Sequence, residues 1–179
     1  MSGTPASPRF PGRAALPRLF LVAGGVVALD QATKRLVLDA LPPGASLPVI
    51  PGFFDLTHVR NPGGAFGFLQ QLDPGLRLAL FAAAAVAAAV VLLVLYLQTP
   101  PARRRLSIGI ALVFGGAVGN LIDRVRFGEV VDFLDVYAGS WHWPAFNVAD
   151  SAITVGVGLF ALHALRPPRP GGDRPGGAG

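Results

Sequence analysis

Apolar residues in this chain fall into four long runs separated by shorter polar stretches. Leu76 to Leu97 reads LRLALFAAAAVAAAVVLLVLYL, and its only charge, Arg77, stands near one end. Leu106 to Ile122 and Ala152 to Leu165 are two more such runs, and a first, from about Leu19 to Leu41, is interrupted by Asp30, Lys34, Arg35 and Asp39. A helix needs about 20 apolar residues to cross a hydrocarbon core about 30 Å thick. The pattern therefore predicts an all-α membrane protein with spans at about 19–41, 76–97, 106–122 and 150–165. A soluble helical bundle would need a polar face on each helix, and the second run has none. A signal peptide is the other reading of the N-terminal run, since Arg9, Arg13 and Arg18 precede it. No small-x-small cleavage site follows and the helical pattern continues through the charges, so the run reads as a retained span.

The segments between spans carry a different pattern. LPPGASLPVIPGFFDLTHVRNPGGAFGFL is rich in turn formers and β-formers. Val49–Ile50 and Phe53 to Val59 predict a small sheet at the membrane surface, and Asn61-Pro62-Gly63-Gly64 a turn that presents the Asn61 amide. Tyr137, Trp141 and Trp143 read as interfacial anchors. Gly115, Gly116 and Gly119 bare one face of the third span for close helix packing, and the alanines of the second span read as a packing or lipid-facing surface. The Pro/Gly-rich ends, 1–17 and 166–179, read as disordered tails flanking one domain, 18–165.

Composition supports lipid as the solvent: 14% of residues are charged, against roughly a quarter in soluble domains. The net charge of +5 matters less than its distribution. Arg9, Arg13, Arg18, Arg103, Arg104, Arg105, Arg166, Arg169 and Arg174 fall on one side of the predicted membrane, which makes that side cytoplasmic and puts both termini there. Of ten acids only Asp173 shares that side. No aromatic-rich basic patch of a nucleic-acid-binding kind is present.

Several chemistries are excluded. Without cysteine there is no thiol catalysis, disulfide or thiolate metal site. His58, His142 and His163 are far apart and show no zinc spacing. Ser151 adjoins Asp150, but there is no G-x-S-x-G, and Lys34, the only lysine, pairs with Asp30 four residues earlier. There is no phosphate-binding glycine loop, and no cofactor or metal is expected.

Carboxylates remain. Counted from the arginines at each helix end, Asp30 lies about 18 Å, Asp123 about 27 Å and Asp150 about 24 Å toward the outer side. Asn120 and Asn147 stand one turn from Asp123 and Asp150. An intramembrane acid is expensive and points to function. For Asp150 the alternative is that it and Asn147 merely cap the last span. Asp123 precedes Arg124 and reads as charge-balanced by it. Asp132 lies in GEVVDFLDV between Val131 and Phe133, an apolar surround that raises a carboxyl pKa. Asp135, about a turn onward, reads equally as interfacial. Two carboxyls sharing one proton can hydrolyse a peptide, one as base on water and the other as acid on the carbonyl. Depth alone ranks Asp123 beside Asp150. A proton relay or small transporter built on Asp30, Asp123 and Asp150 would need polar groups down to the cytoplasmic face, and the inner halves of the spans have almost none. A non-catalytic scaffold would tolerate loss of the carboxylates.

DQATK (30–34), RNPGGAFGF (60–68), GNLIDR (119–124), VVDFLD (130–135) and FNVADSA (146–152) resemble, in order and spacing, the motifs of bacterial lipoprotein signal peptidase, or signal peptidase II. The resemblance runs from about residue 18 to 165. It implies an aspartic endopeptidase of the bacterial cytoplasmic (inner) membrane, with four transmembrane helices, a small extracytoplasmic β-cradle and a short mobile surface helix. Such an enzyme removes the signal peptide of diacylglyceryl-modified prolipoproteins, cutting just before the lipidated cysteine, and is blocked by the cyclic peptide globomycin. The resemblance makes Asp132 and Asp150 the catalytic pair, in preference to Asp123. It makes Asn61 and Arg124 contacts to bound peptide, and Asp30, Lys34, Asn120, Asp123 and Asn147 supporting residues. A monomer is expected, with membrane lipid and prolipoproteins as its partners.

Overall fold

In the computed structural model, which describes residues 10–63 and 72–165, four helices carry a small antiparallel sheet at one end. The helices are α1 (Leu16–Ala40), α2 (Pro74–Gln98), α3 (Arg104–Phe127) and α4 (Val148–Ala164). The first three are long and apolar enough to cross a membrane; α4 is apolar but shorter, at 17 residues. Each follows the predicted runs, with ends set by local chemistry. At the start of α2, Pro74 takes the first position and Asp73 accepts hydrogen bonds from the amides of Gly75 and Leu76, a strong N-terminal stop. At the end of α3, Gly128 adopts a left-handed conformation and returns its N–H to Arg124 O, as such caps do.

The sheet runs β1 (Ser46–Ile50), β2 (Phe54–Asn61), β3 (Val130–Ala138) and β4 (Trp141–His142), in that order. Its first half matches the expected sheet. Its second half corrects the sequence reading. VVDFLDV is a strand, so Asp132 and Asp135 point to opposite faces rather than lying a helical turn apart. The β-branched and aromatic residues there suit a pleated surface. β1 is exposed throughout, and Trp141 and Trp143 are exposed beyond half, consistent with residues facing a membrane surface. Tyr137 is more than an anchor: its hydroxyl donates to Asp55 and accepts from the Gly52 amide, tying β3 to the β1–β2 hairpin.

The predicted N-terminal tail also needs correction within its described part. Pro11–Ala15 forms a 3-10 turn, α1 starts at Leu16, and Ala15 and Leu19 are buried. The reason is Tyr96, fully buried near the end of α2, whose hydroxyl donates to Ala15 O and fastens the turn to the bundle. Residues 1–9 and 166–179, read as tails, lie outside the described residues, as do residues 64–71 of the first outer segment. The expected short surface helix is not among the described residues.

Helix α3 is the hub and packs against the other three helices, whereas the apolar window of α2 has no buried residue. Of the alanines of α2, Ala83, Ala84, Ala87 and Ala88 are exposed, and Ala82, Ala85 and Ala89 are half-buried. Glycines let α3 approach its neighbours. A Cβ on Gly116 would stand 2.4 Å from Ala149 O, one on Gly115 2.9 Å from Ala23, and one on Gly119 2.7 Å from Asp30 Oδ2. The first two clashes are with backbone atoms that cannot swing away. Gly116→Ala is expected to wedge α4 off α3 and lower stability by about 1–3 kcal/mol, seen as a lower melting temperature in detergent. Gly24→Ala, with open space around it, serves as the unchanged control.

Candidate active site

Lys34 is the tie point of the polar end of the bundle. It is 1% exposed, and its ammonium meets Asp30 Oδ2 and Asp123 Oδ2, each at 2.8 Å, and Asn120 Oδ1 at 3.1 Å. The three protons of the ammonium are thus matched by three acceptors. The Asp30–Lys34 pair is the expected i,i+4 pair. Asp123 is not balanced by Arg124, as adjacency had suggested, but by Lys34 from the neighbouring helix.

Each of those two carboxylates also holds another element. Asp30 Oδ1 accepts from the Ala149 amide at 3.0 Å, so α1 caps the N-terminus of α4. Asp123 Oδ2 accepts from the Val131 amide at 3.1 Å, so α3 fastens the start of β3. Gln31, which sequence reasoning passed over, bridges the pair by donating to Asp30 Oδ2, Gly119 O and Asp123 Oδ1. It falls within DQATK (30–34), but two of its three acceptors, Gly119 O and Asp123 Oδ1, lie 88 and 92 positions away in the sequence.

The consequence is to set Asp132 and Asp150 on either side of one amide. Asn147 Nδ2 donates to Asp132 Oδ1 at 2.7 Å, and Asn147 Oδ1 accepts from the Asp150 N–H at 3.0 Å. Asp150 Oδ2 accepts from the Asn147 N–H at 3.3 Å, completing a capping box. Asn120 joins them, donating to Asp150 Oδ1 at 2.8 Å and accepting from Asn147 Nδ2 at 3.1 Å. The choice posed by the sequence, cap or cluster, is therefore not a choice: Asp150 caps α4 and belongs to the polar cluster.

Asn61 completes the surround of Asp132, donating to its Oδ2 at 2.9 Å. A bulge sets up this contact. The β2–β3 register passes from Leu56↔Leu134 to Val59↔Asp132, so Thr57 and His58 oppose Phe133 alone. Asn61, opposite Val130, then lies diagonally across from Asp132 on the same face. Had the ladder run on unbroken from Leu56, Arg60 would take that place. Buried His58 pins the bulge: its Nδ1 meets Leu41 O, its backbone pairs with Gly44 and Ala45, and Arg60 Nε donates to its Nε2.

Arg124 stands within electrostatic reach of Asp150, Asp132 and Asp123, and its guanidinium lies 5.2 Å from the Phe81 ring centre. Among the described residues it makes no ion pair within 4 Å. Phe81 also packs on Gly63, where φ is +88° and a Cβ would come 2.5 Å from the ring. Gly63 N–H in turn donates to Asn61 Oδ1, so α2 braces the residue that holds Asp132. A cavity of about 440 Å³ adjoins Asp150, lined by Trp143, Phe146, Asp150, Ser151, Thr154 and Val155.

Asp132 is 2% exposed, and its pKa rises to about 6. Burial is the main cause; the Asn61 hydrogen bond opposes it, the Asp150 charge adds to it, and Asn147 and Lys34 oppose it. Its apolar neighbours Val131 and Phe133 are both buried, as the sequence suggested.

Comparison with known proteins bears on this arrangement. A family profile described as Signal peptidase (SPase) II matches residues 22–166. The chain belongs to the signal peptidase II family. It is 55% identical over 151 residues to the lipoprotein signal peptidase of Desulforapulum autotrophicum, covering 84% of this chain and 93% of that one. It is 53% identical over 148 residues to the lipoprotein signal peptidase of Syntrophotalea carbinolica, covering 83% and 91%. Two solved structures, both described as a bacterial membrane enzyme studied by the in meso method, at 2.3 Å and 1.9 Å, superpose with a TM-score of 0.74 each. They are 35% and 34% identical to this chain, covering 83% and 84% of it and 88% and 94% of their own lengths. The five motifs quoted above all fall inside the matched signal peptidase II region.

Proposed function

We propose that Asp132 and Asp150 are the catalytic pair of this signal peptidase II, an aspartic endopeptidase that removes signal peptides from prolipoproteins. The observation that carries the reading is the Asn147–Asn120 pair of side-chain amides: Asn147 donates to the Asp132 carboxylate and to Asn120 Oδ1, and Asn120 donates to the Asp150 carboxylate. Asp132 holds the proton, because burial disfavours its charged form; Asp150 takes a proton from the attacking water. Asp132 protonates the carbonyl oxygen as the tetrahedral adduct forms, and the roles reverse as the peptide nitrogen leaves. Arg124 and Asn61 stand where an incoming peptide would pass, and Asp30, Lys34, Asn120, Asp123 and Asn147 hold the pair in place.

The site also fits the substrate that the motifs imply. Helix α4, 17 residues long, is within the range of a tilted or slightly short span, which makes four crossings. Arg13, Arg18, Arg103, Arg104 and Arg105 sit at the end away from the carboxylates, so that end is cytoplasmic and the pair faces the extracytoplasmic side of the inner membrane. A diacylglyceryl cysteine in the outer leaflet and a signal helix in the bilayer would bring the scissile bond to this level. Globomycin-type peptides would compete there, and a monomer suffices, because every named group comes from one chain.

The protonation of Asp132 gives a test with a definite sign. A carboxyl with a pKa of about 6 keeps its proton below that pH and loses it above. For the pair as a whole, kcat/KM for a diacylglyceryl-modified precursor, followed by gel shift, is expected to fall as pH rises through that region. Asn61→Ala removes a hydrogen bond that favours the anion, so the midpoint should move up by about one pH unit. A folded variant with an unmoved midpoint would assign the limb to another group.

A further inference from the structure

The end of the bundle opposite the carboxylates holds a second cavity of different character. About 160 Å³ in volume, it is lined by Arg105 from the first turn of α3 and by Leu159, Leu162 and His163 from the last two turns of α4. Arg105 precedes Asp123 by 18 residues on one helix, which is about 27 Å along the axis. Of the ten acids, nine lie among the described residues, and all nine belong to the half that carries the sheet. Among the described residues Arg105 thus has no carboxylate to meet, and neither its side chain nor that of His163 pairs with another of them. Arg18, at the same end, is by contrast committed, donating to Pro101 O and Ser107 Oγ.

A cationic rim over an aliphatic floor is complementary to a molecule that is anionic at one point and apolar just beside it. A free phosphate ion would gain nothing from Leu159 and Leu162. A phospholipid would use both parts, its phosphodiester on the guanidinium and its glycerol and upper acyl carbons on the leucines. Basic pockets at this depth between membrane helices meet headgroups at high local concentration. We propose that this cavity seats the phosphate of one anionic phospholipid, with Arg105 and His163 as its ligands. The lipid anchors the α3–α4 pair at the arginine-rich face, and the site is independent of the catalytic reading.

The test is native mass spectrometry of the full chain in detergent micelles with added phosphatidylglycerol or phosphatidylcholine. Wild type is expected to retain one phosphatidylglycerol in preference to phosphatidylcholine. R105A/H163A should lower that retention about tenfold, and R103A/R104A, which removes two cations outside the cavity, by about twofold or less. Leu159→Trp, which fills the floor and leaves Arg105 and His163 in place, should also release the lipid. Helical circular dichroism checks that each variant is folded. Equal losses from the two double variants would mean diffuse charge attraction and overturn the site. So would equal retention of the two lipids, retention by Leu159→Trp, or displacement of the lipid by millimolar inorganic phosphate.

Discussion

Asp132→Asn and Asp150→Asn are each expected to lower cleavage of a diacylglyceryl-modified precursor by about a thousandfold, within the range that general acid–base groups supply. The substitution is chosen because asparagine keeps the shape of the side chain and one acceptor oxygen, so each variant retains one of the two bonds its aspartate accepts, from Asn61 or Asn147 at position 132 and from Asn120 or the Asn147 N–H at position 150, while the titratable oxygen is lost. Gel shift under single-turnover conditions reads the chemical step, and a thermal melt confirms folding. If either variant cleaves at close to the parental rate, the pair is misassigned. Asp123→Asn is the necessary comparison. Both oxygens of Asp123 are occupied, by Lys34, the Val131 amide and Gln31, so its loss should appear first as a lower melting temperature. A stable Asp123→Asn variant that is inactive would instead move a catalytic role to that residue.

The second large effect is on stability. Lys34→Met removes the only cation, among the described residues, within 4 Å of two carboxylates that are 0% and 1% exposed. Breaking a buried ion network by deleting one partner costs about 3–5 kcal/mol, because a charge is left without compensation. The variant should melt well below wild type or fail to accumulate in the membrane. Asp30→Asn combined with Lys34→Met leaves fewer uncompensated charges and should recover part of the loss. An unchanged melting temperature in Lys34→Met would show that the ammonium does not hold the two helices. Activity should fall with stability here, since Asp30 and Asp123 fix α4 and β3.

The helices were legible because a membrane demands long apolar runs and little else resembles them. α4 begins where Asn147 and Asp150 stop the apolar pattern, and the capping box is local enough to be read from spacing. β3 was not legible as a strand: VVDFLDV is a short apolar run, for which helix and strand patterns agree. The pairing of Asp123 with Arg124 failed for a geometric reason. Adjacent residues on a helix point about 100° apart, so Asp123 turns inward to Lys34 while Arg124 turns toward Phe81. Depth counting brought Asp30, Asp123 and Asp150 to one level but could not reach Asp132, which sits outside the spans. The motifs pointed to Asp132, and the Val131 and Asn147 bonds show how it gets there. Gln31, the Thr57–His58 bulge and the Phe81 brace depend on contacts across the fold and leave no local trace.

Lys34 is the sole side-chain amine in the chain, and it is shut inside the ion network. Amine-directed reagents such as succinimidyl esters would therefore leave the folded molecule unmodified at every side chain. Acylation of that one nitrogen would then serve as a clock for the opening of the bundle, read by mass as a single step.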